Sequence, residues 1–373
     1  MLASNQAAWL SSKSARPLKV GLAPYTNPHG NEIVVKNGAV AVNRLEWTKQ
    51  LMGNMASRWM KYPFVLGNDC AGEVVQIGDD VSRFKIGDRV LAHALSMDPA
   101  VNKSSEGAFQ KYTVIRDNMA ALIPDWMSYE EACVVPLGLS TAASALFQKD
   151  YLALKLPDAS AAPSDSTPEV VLVWGGSTSV GSNAIQLAIA AGYEVVTTCS
   201  PTNFDYVSSL GAYHVFDYHS KATIQQIVNI MRNKAVAGAI AIGKGSTEAC
   251  IEILAKTNGS KFVAQASSLS FETIPTTTFG IVRAMGAWVW SRITIFIKSK
   301  LRGVKTKLIV GTSLAHNEVG ASIYSQFLPG ALENGGFIAA PRAFVVGKGL
   351  GDIQKAFDFH MQGVSAQKIV VSL

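Results

Sequence analysis

The feature that most constrains the fold is a Gly-rich turn that joins an apolar strand to an Ala-rich helix. Residues 170–174 (VVLVW) are continuously apolar, the pattern of a strand buried on both faces. The turn then reads GGSTSVGS over 175–182, and a helical pattern covers 179–192. Small residues let the backbone approach a pyrophosphate, and a helix N-terminus supplies free N–H donors. The sequence therefore predicts a dinucleotide-binding turn, the alternative being a tight turn without a ligand.

Strands and helices alternate in the residues that follow this turn. Further strand patterns cover 194–199, 213–218, 236–243, 260–267 and 307–316, and helical patterns cover 204–210 and 224–233. Such alternation is typical of right-handed crossovers in a doubly wound parallel sheet. The predicted fold class is therefore α/β.

The first third and the end of the chain follow a different pattern. Short β-branched segments at 32–43, 70–78 and 88–95, separated by Gly-Asp turns, predict a compact β-barrel-like lobe. A helix is expected over 128–147, with Ser128 and Glu131 forming a capping box. The tail predicts helices over 321–335 and 349–363, and a closing strand at 367–373 that could rejoin the first lobe. Residues 154–169 predict an exposed loop.

Composition excludes several classes of protein. Of the 373 residues, 48% are hydrophobic and 16% are charged, so the chain is not intrinsically disordered. Its four cysteines and six histidines are scattered, which argues against a disulfide framework and against a zinc site. A net charge of +6 is weak evidence for nucleic acid, and we expect none to bind. The N-terminus lacks the pattern of a signal peptide, so we expect a cytoplasmic protein.

The most apolar stretch, residues 279–297, is long enough to cross a bilayer but contains Arg283 and Arg292. Each arginine would cost about 2.5–3.5 kcal/mol near the bilayer centre, so we reject a span. Five basic residues follow: Lys298, Lys300, Arg302, Lys305 and Lys307. The stretch could be a membrane-surface helix or a pocket-lining helix with a solvated end. We favour the second interpretation and expect no membrane contact. The basic residues are also a hypothetical docking site for an acidic acyl-carrier protein.

The end of the second strand suggests which dinucleotide binds. An NAD site usually has an Asp or Glu here, and residues 197–203 (TTCSPTN) contain neither. Ser200 and Asn203 are neutral donors that could meet a 2′-phosphate, and Tyr218 follows the third strand. This pattern favours NADPH over NADH, although the same residues could simply cap the next helix.

Taken together, these motifs resemble the medium-chain dehydrogenase/reductase superfamily over nearly the whole chain. Zinc-containing members have Gly-His-Glu where this chain has Gly67-Asn68-Asp69, so the resemblance is to the zinc-free quinone-oxidoreductase/enoyl-reductase branch. Within that branch the chain is similar to fungal trans-acting enoyl reductases of polyketide biosynthesis. The segments that carry the resemblance are 39–43, 62–90, 106–114, 136–146, 173–188 and 363–371.

The resemblance implies a GroES-like catalytic domain over 1–140 and 315–373, and a Rossmann dinucleotide-binding domain over 141–314. It places Asn43 near the nicotinamide, Thr141 near the nicotinamide ribose and the substrate, and residues around Gln367 near the carboxamide. Some enoyl reductases have a lysine where Thr48 stands, and here Lys49 follows it. The other residues implied to bind the cofactor are Gly175, Ser177, Thr178, Ser179, Val180, Ser200, Pro201, Thr202, Asn203 and Tyr218.

The implied activity is hydride transfer from NADPH to the activated C=C of an α,β-unsaturated thioester or ketone, without a metal. Thr141 is the first candidate to donate a hydrogen bond to the enolate oxygen. The substrate would be a small molecule or bound to a carrier protein, with a polyketide synthase as partner. Two alternatives stay open: an NADPH quinone or enone oxidoreductase, and a non-catalytic NADPH-binding protein.

Overall fold

The computed structural model describes residues 4–55, 58–157, 168–266 and 278–373. These residues form two compact units. The first combines Met1–Ser140 with Thr312–Leu373, and the second is Thr141–Gly311. Each unit is described by itself below.

The second unit is built on a fully parallel sheet. Its strands are β9 (Val170–Trp174), β10 (Glu194–Cys199), β11 (His214–Asp217), β12 (Ala235–Ala241), β13 (Asn258–Gly259), β14 (Phe262–Gln265) and β15 (Lys305–Leu308), the labels following chain order. Their spatial order is β11-β10-β9-β12-β14-β15, with β13 beside β12. Without the short β13 this is the order 3-2-1-4-5-6 of a doubly wound sheet, which confirms the predicted fold class. The strand order reverses beside β9, the strand that leads into the Gly-rich turn.

Helices connect the strands of this sheet. They are α4 (Ser179–Ala190), α5 (Phe204–Ser209), α6 (Thr223–Met231), α7 (Ser246–Ala255) and α8 (Thr278–Arg302). All five residues of β9 are buried, as its continuous apolar sequence predicts. The core beside it combines β9 with residues of α6 and α7, among them Ile227, Cys250 and Leu254.

The first unit contains two sheets. Its N-terminal strands are β1 (Asn5–Leu10), β2 (Lys19–Ala23), β3 (Glu32–Ala41), β4 (Phe64–Val65), β5 (Asp69–Ile77), β6 (Arg89–His93), β7 (Tyr112–Arg116) and β8 (Ala120–Leu122), and its C-terminal strands are β16 (Arg342–Lys348) and β17 (Gln367–Ser372). The smaller sheet has the order β2-β1-β4, and the larger has the order β16-β17-β3-β5-β6-β8 with β7 also on β3. The predicted closing strand is therefore confirmed, since β17 pairs antiparallel with β3.

Short helices complete the first unit: α1 (Arg44–Met52), α2 (Tyr129–Ala132), α9 (Glu318–Ala321), α10 (Leu328–Glu333) and α11 (Ile353–Met361). A π-helical turn, Ser322–Phe327, joins α9 to α10. The capping box at Ser128 is confirmed: the Ser128 hydroxyl accepts from the Glu131 N–H at 3.2 Å, and the Glu131 carboxylate accepts from the Ser128 N–H at 3.0 Å.

Two element predictions are wrong. The single helix expected over 128–147 is split into α2 and α3 (Pro136–Phe147), because a proline disfavours helical backbone in the residue before it. The strand expected over 307–316 ends at Leu308, since its partner β14 ends at Gln265, the residue that pairs with Leu308. A 3-10 turn covers Gly311–His316 instead.

Two further predictions concern exposure. Most large apolar side chains of the stretch 279–297 are exposed on α8, and its pocket-lining role stays a prediction. Most of the loop predicted over 154–169 lies outside the described residues. Within the described ranges, none of the helices combines the length and the hydropathy needed to span a bilayer.

Candidate active site

The Gly-rich turn packs too tightly for larger residues. Gly175 has φ +96°, and a Cβ on Gly176 would lie 2.3 Å from the Thr197 hydroxyl oxygen. A Cβ on Gly181 would lie 2.2 Å from the Gly175 carbonyl oxygen. Only glycine fits these three positions, so the backbone runs directly from the end of β9 into α4.

The N-terminus of α4 offers free backbone donors. The Thr178 hydroxyl caps the helix by accepting from the Gly181 N–H at 3.0 Å, and itself donates to the Gly175 carbonyl at 2.8 Å. The Ser179 and Val180 N–H groups make no hydrogen bond to any described residue. With Ser177 half-buried beside them, they form a cradle of donors at the positive end of the helix dipole. This is the chemistry that a pyrophosphate requires.

A second group of predicted residues meets where β10 and β11 end. The Ser200 and Tyr218 hydroxyls are 3.4 Å apart, and Asn203 lies in the 3-10 turn Pro201–Asn203 that follows β10. Pro201 and Thr202 are exposed on this turn.

An acid also lies at this edge of the sheet, which the sequence patterns did not indicate. Asp217 is opposite Cys199 in the parallel register and accepts from the His219 backbone N–H at 3.0 Å. The His219 ring lies 3.1 Å from the same carboxylate and stacks on the Tyr218 ring, with 4.0 Å between centroids. The Asp217 carboxylate therefore already has a hydrogen-bond donor, His219, two residues further along the chain.

The first unit contains a buried charged cluster around Asp69. The Asp69 carboxylate accepts from the Lys368 ammonium at 2.8 Å, from the Asn43 amide at 2.8 Å and from the Leu137 N–H at 2.6 Å. Lys368 also donates to the Asn43 side-chain oxygen. Asp69 is fully buried, and only 3% of the Lys368 side chain is exposed. Asn43 is thus held between a buried anion and a buried cation.

Glu46 extends this cluster into α1. Its carboxylate accepts from the Asn43 backbone N–H at 2.6 Å and from the Asn68 amide at 2.7 Å. Burial raises the pKa of Glu46 to about 7, and Asp69 nearby acts in the same direction. The Asn43-x-x-Glu46 spacing of a capping box is a signal that could have revealed this residue from the sequence. Nothing in the apolar sequence of β17 marks Lys368.

A chain of three hydrogen bonds lies next to Asp69, because His93 is opposite Asp69 in the β5–β6 register. The Tyr324 hydroxyl donates to the Pro136 carbonyl at 2.9 Å. The Ser140 hydroxyl is 2.8 Å from the Tyr324 oxygen and 2.9 Å from His93 Nδ1. The Tyr324 hydroxyl donates its only proton to the Pro136 carbonyl, so the Ser140 hydroxyl must donate to the Tyr324 oxygen. Ser140 then has no proton left for His93, so His93 must carry its proton on Nδ1 and donate it to Ser140.

His93 Nε2 is consequently a bare acceptor. It is buried and has no hydrogen-bond partner among the described residues. Burial lowers the pKa of His93 to about 4, so its ring is neutral near pH 7. The cluster therefore presents one buried acceptor beside one buried ion pair.

The remaining predicted residues occupy different settings. Thr141 is half-buried in α3 and lies close to the Gly311 backbone, since a Cβ on Gly311 would lie 2.7 Å from the Thr141 hydroxyl oxygen. Gln367 is exposed at the start of β17. Lys49 is buried and donates to the Gly53 carbonyl at 3.2 Å, and burial lowers its pKa to about 8. Thr48 is buried beside it.

Side chains that bind metals are not clustered in the described part of the chain. No group of three or more His, Cys, Asp or Glu residues in the ranges described is placed to hold a metal ion. Cys70 and Cys133 are fully buried, and burial raises the pKa of each thiol well above its ordinary value.

Fold and sequence together define the class of protein. Residues 29–125, within the first unit, match the alcohol dehydrogenase GroES-like domain family. The second unit has the strand order and the Gly-rich turn of a Rossmann dinucleotide-binding fold. The chain belongs to the medium-chain dehydrogenase/reductase superfamily, whose members are oxidoreductases that use nicotinamide cofactors.

Relatives narrow this assignment to a fungal group. The chain is 51% identical to dehydrogenase pigH of Monascus ruber, over 99% of this chain and 100% of pigH. It is 36% identical to trans-enoyl reductase himH of Aspergillus japonicus, over 99% of this chain and 97% of himH. Among solved structures, CurK enoyl reductase shares the fold with a TM-score of 0.70 at 20% identity, over 99% of each chain.

We expect Gly181→Ala to weaken cofactor binding at least tenfold and to lower the melting temperature, because the new Cβ would force the turn away from α4. Titration calorimetry with NADPH and thermal melts measure the two effects. Gly286→Ala in α8 is the matched control, since a Cβ there meets nothing within 4 Å. Unchanged affinity in Gly181→Ala would contradict the role given to this turn.

His93→Asn should flatten the dependence of stability on pH. The pKa of His93 is about 4 in the folded chain and about 6.5 in the unfolded chain, so the unfolded state takes up the proton first as the pH falls. The stability that this residue contributes is complete above pH 6.5 and is lost toward pH 4, by about 3 kcal/mol. Asn retains a donor for Ser140 but does not titrate.

Urea unfolding at several pH values between 4 and 7.5 measures this effect. Exposed His29→Asn is the control and should keep the slope of the wild type. His360, whose pKa burial also lowers to about 4, keeps its own contribution in the His93 variant. A variant with the full wild-type slope would show that His93 is not held neutral.

Proposed function

We propose that this protein is an NADPH-dependent reductase of the activated C=C bond in an α,β-unsaturated thioester or ketone of fungal secondary metabolism. The second unit would bind the dinucleotide and the first unit would be catalytic. The observation that carries the proposal is full-length similarity to a protein named trans-enoyl reductase. The free N–H groups of Ser179 and Val180 support it, because they provide the donors that a dinucleotide needs.

The turn after β9 would hold the pyrophosphate. Ser177, Thr178, Ser179 and Val180 supply backbone and hydroxyl donors, and the glycines keep Cβ atoms out of the way. When bound, the nicotinamide supplies a hydride. The protein must therefore fix the position of the acceptor carbon and keep water from the reacting atoms.

Ser200, Pro201, Thr202, Asn203 and Tyr218 would bind the adenosine end. The hydroxyl pair of Ser200 and Tyr218 offers neutral donors to a 2′-phosphate. The Asp217 carboxylate at this edge already accepts a hydrogen bond from the His219 backbone N–H. These contacts support a preference for NADPH.

Reduction of the C=C bond needs stabilisation of negative charge on the substrate oxygen. Hydride addition to the β-carbon moves the alkene electron pair toward the carbonyl, giving an enolate, and the α-carbon then takes a proton from water or a side chain. We assign the Thr141 hydroxyl as donor to the enolate oxygen. Asn43, fixed by Asp69 and Lys368, is assigned to orient the nicotinamide, and Gln367 to approach its carboxamide.

We propose that the reaction needs no zinc. In the cluster around Asp69 the cation is the Lys368 ammonium. Asn68 stands where zinc-containing members of the family have a histidine, and its amide donates to Glu46. The acceptor is proposed to be a small molecule or a chain on a carrier protein, with a polyketide synthase as partner. The name of himH supports an acceptor supplied by another protein.

Ser200→Asp should raise the KM for NADPH at least tenfold while the KM for NADH changes little or falls. The new carboxylate would repel a 2′-phosphate but could accept a hydrogen bond from a ribose 2′-hydroxyl. Steady-state kinetics with both cofactors measure the change. Ser208→Asp, which adds the same charge on the exposed part of α5, is the control. Equal effects on both cofactors would remove Ser200 from the site.

The reaction itself is tested by NADPH consumption at 340 nm with matched acceptors. We expect turnover with enoyl thioesters or enones. Mass spectrometry of the product should show that the C=C bond has been reduced. Turnover should survive removal of metals by a chelator, and elemental analysis should find no stoichiometric zinc. Reduction of quinones alone would replace the proposal by a quinone reductase, and NADPH binding without turnover on any acceptor would leave a cofactor-binding protein.

A further inference from the structure

Helix α8 is attached to the second unit along a narrow line. Over its 25 residues, the described side chains that are buried are Ile295 and Ser299, each 7% exposed. Ile295 packs into the core that includes Val304 and residues of α7. The Arg292 guanidinium donates to the Gln265 side chain. A surface helix held in this way would ordinarily present charged residues to solvent.

The outward side of α8 is apolar instead. Eight large apolar side chains there are between 44 and 80% exposed: Phe279, Val282, Val289, Trp290, Ile293, Phe296, Ile297 and Leu301. At about 100° per residue they share one arc of roughly 140°, opposite the line of Ile295 and Ser299. We call these eight residues the outer face of α8.

An apolar face of this extent is unusual. A monomeric protein rarely exposes contiguous apolar patches larger than a few hundred Å², and larger ones mark binding sites for proteins or membranes. The uninterrupted part of the outer face runs from Val289 to Leu301, which is about three and a half helical turns, and Phe279 and Val282 lie on the same side nearer the start of the helix. It includes a tryptophan and two phenylalanines, the aromatic residues that insert at a bilayer interface.

The charges of α8 have one sign. The helix contains Arg283, Arg292, Lys298, Lys300 and Arg302 and no acidic residue. At about 100° per residue, Arg283 and Lys300 project from the same arc as the outer face, and the Lys300 ammonium lies 5.8 Å from the centre of the Phe296 ring. A long side chain of this kind can bury its apolar stem while its charged group reaches an anionic headgroup.

We propose that the outer face of α8 binds the surface of an anionic lipid bilayer, with the helix lying in the plane of the interface. The apolar arc would enter the boundary between headgroups and acyl chains, and Arg283 and Lys300 would meet anionic headgroups. A second copy of the chain is a poorer occupant, because two helices that carry only cations would repel each other. This inference is independent of the proposed reductase activity.

The test is flotation of the full-length protein with vesicles at physiological ionic strength. We expect binding to vesicles of phosphatidylcholine and phosphatidylserine at 7:3, and much weaker binding to phosphatidylcholine alone. Arg283→Gln/Lys300→Gln, which removes the two cations of the outer arc, should weaken binding roughly 25-fold, at about fivefold for each cation lost near the surface.

Apolar substitutions test the other half of the interaction. Trp290→Gln/Phe296→Gln should weaken vesicle binding at least tenfold. The matched control is Trp126→Gln/Ile86→Gln, which removes a tryptophan and a second apolar side chain of similar exposure from the first unit: Trp126 and Ile86 are each 65% exposed, against 68% for Trp290 and 60% for Phe296. Thermal melts check that each variant is folded.

Several results would overturn the proposal. One is no flotation with anionic vesicles, and another is equal loss of binding in the two apolar pairs. A wild-type dimer that Trp290→Gln/Phe296→Gln converts to monomer in sedimentation equilibrium would assign the face to a second copy. Retention on an immobilised acidic acyl-carrier protein, without binding to vesicles, would assign it to a protein partner. NADPH turnover, measured in parallel, reports separately on the reductase.

Discussion

The buried ion pair between Asp69 and Lys368 is the interaction on which the first unit depends. Asp69 begins β5 and Lys368 lies in the last strand, so the pair joins distant parts of the chain. Removing one member of a buried pair leaves an uncompensated charge, at a cost of roughly 3–5 kcal/mol. The same two groups hold the Asn43 side chain, and Asn43 in turn caps α1. The same ion pair thus fixes the position of Asn43, a proposed site residue, and joins the last strand to β5.

The second unit depends on close packing rather than on charge. Gly176 and Gly181 allow β9 and α4 to meet with no side chain between them, and Thr178 caps the helix from within the turn. What remains unpaired is a small set of N–H groups at the strand-order reversal, the place where doubly wound sheets bind their ligands. The buried apolar strand β9 makes the sheet rigid, and the turn after it provides the free N–H donors.

Much of this could be predicted from residue patterns. The apolar run of β9, the Gly-rich turn and the alternation that follows specify a parallel sheet, because each is a local consequence of burial or backbone freedom. The capping box at Ser128 is local in the same way. The early end of the strand expected over 307–316 has a non-local cause, because β15 stops where its partner β14 stops. The exposure of the apolar residues of α8 is non-local too, because only a narrow line of the helix meets the core.

The sequence by itself determined the fold class, the Gly-rich strand-to-helix turn and the family resemblance, since each depends on residues that are near one another in the chain. The tertiary structure alone decided that Lys368 faces Asp69, that Ser140 and Tyr324 fix the proton of His93 on Nδ1, and that α8 has an exposed apolar face. Those facts depend on partners far away in sequence. A lysine in an apolar strand or a lone histidine carries no local mark of the group that it will meet, because burial and pairing are properties of the folded chain.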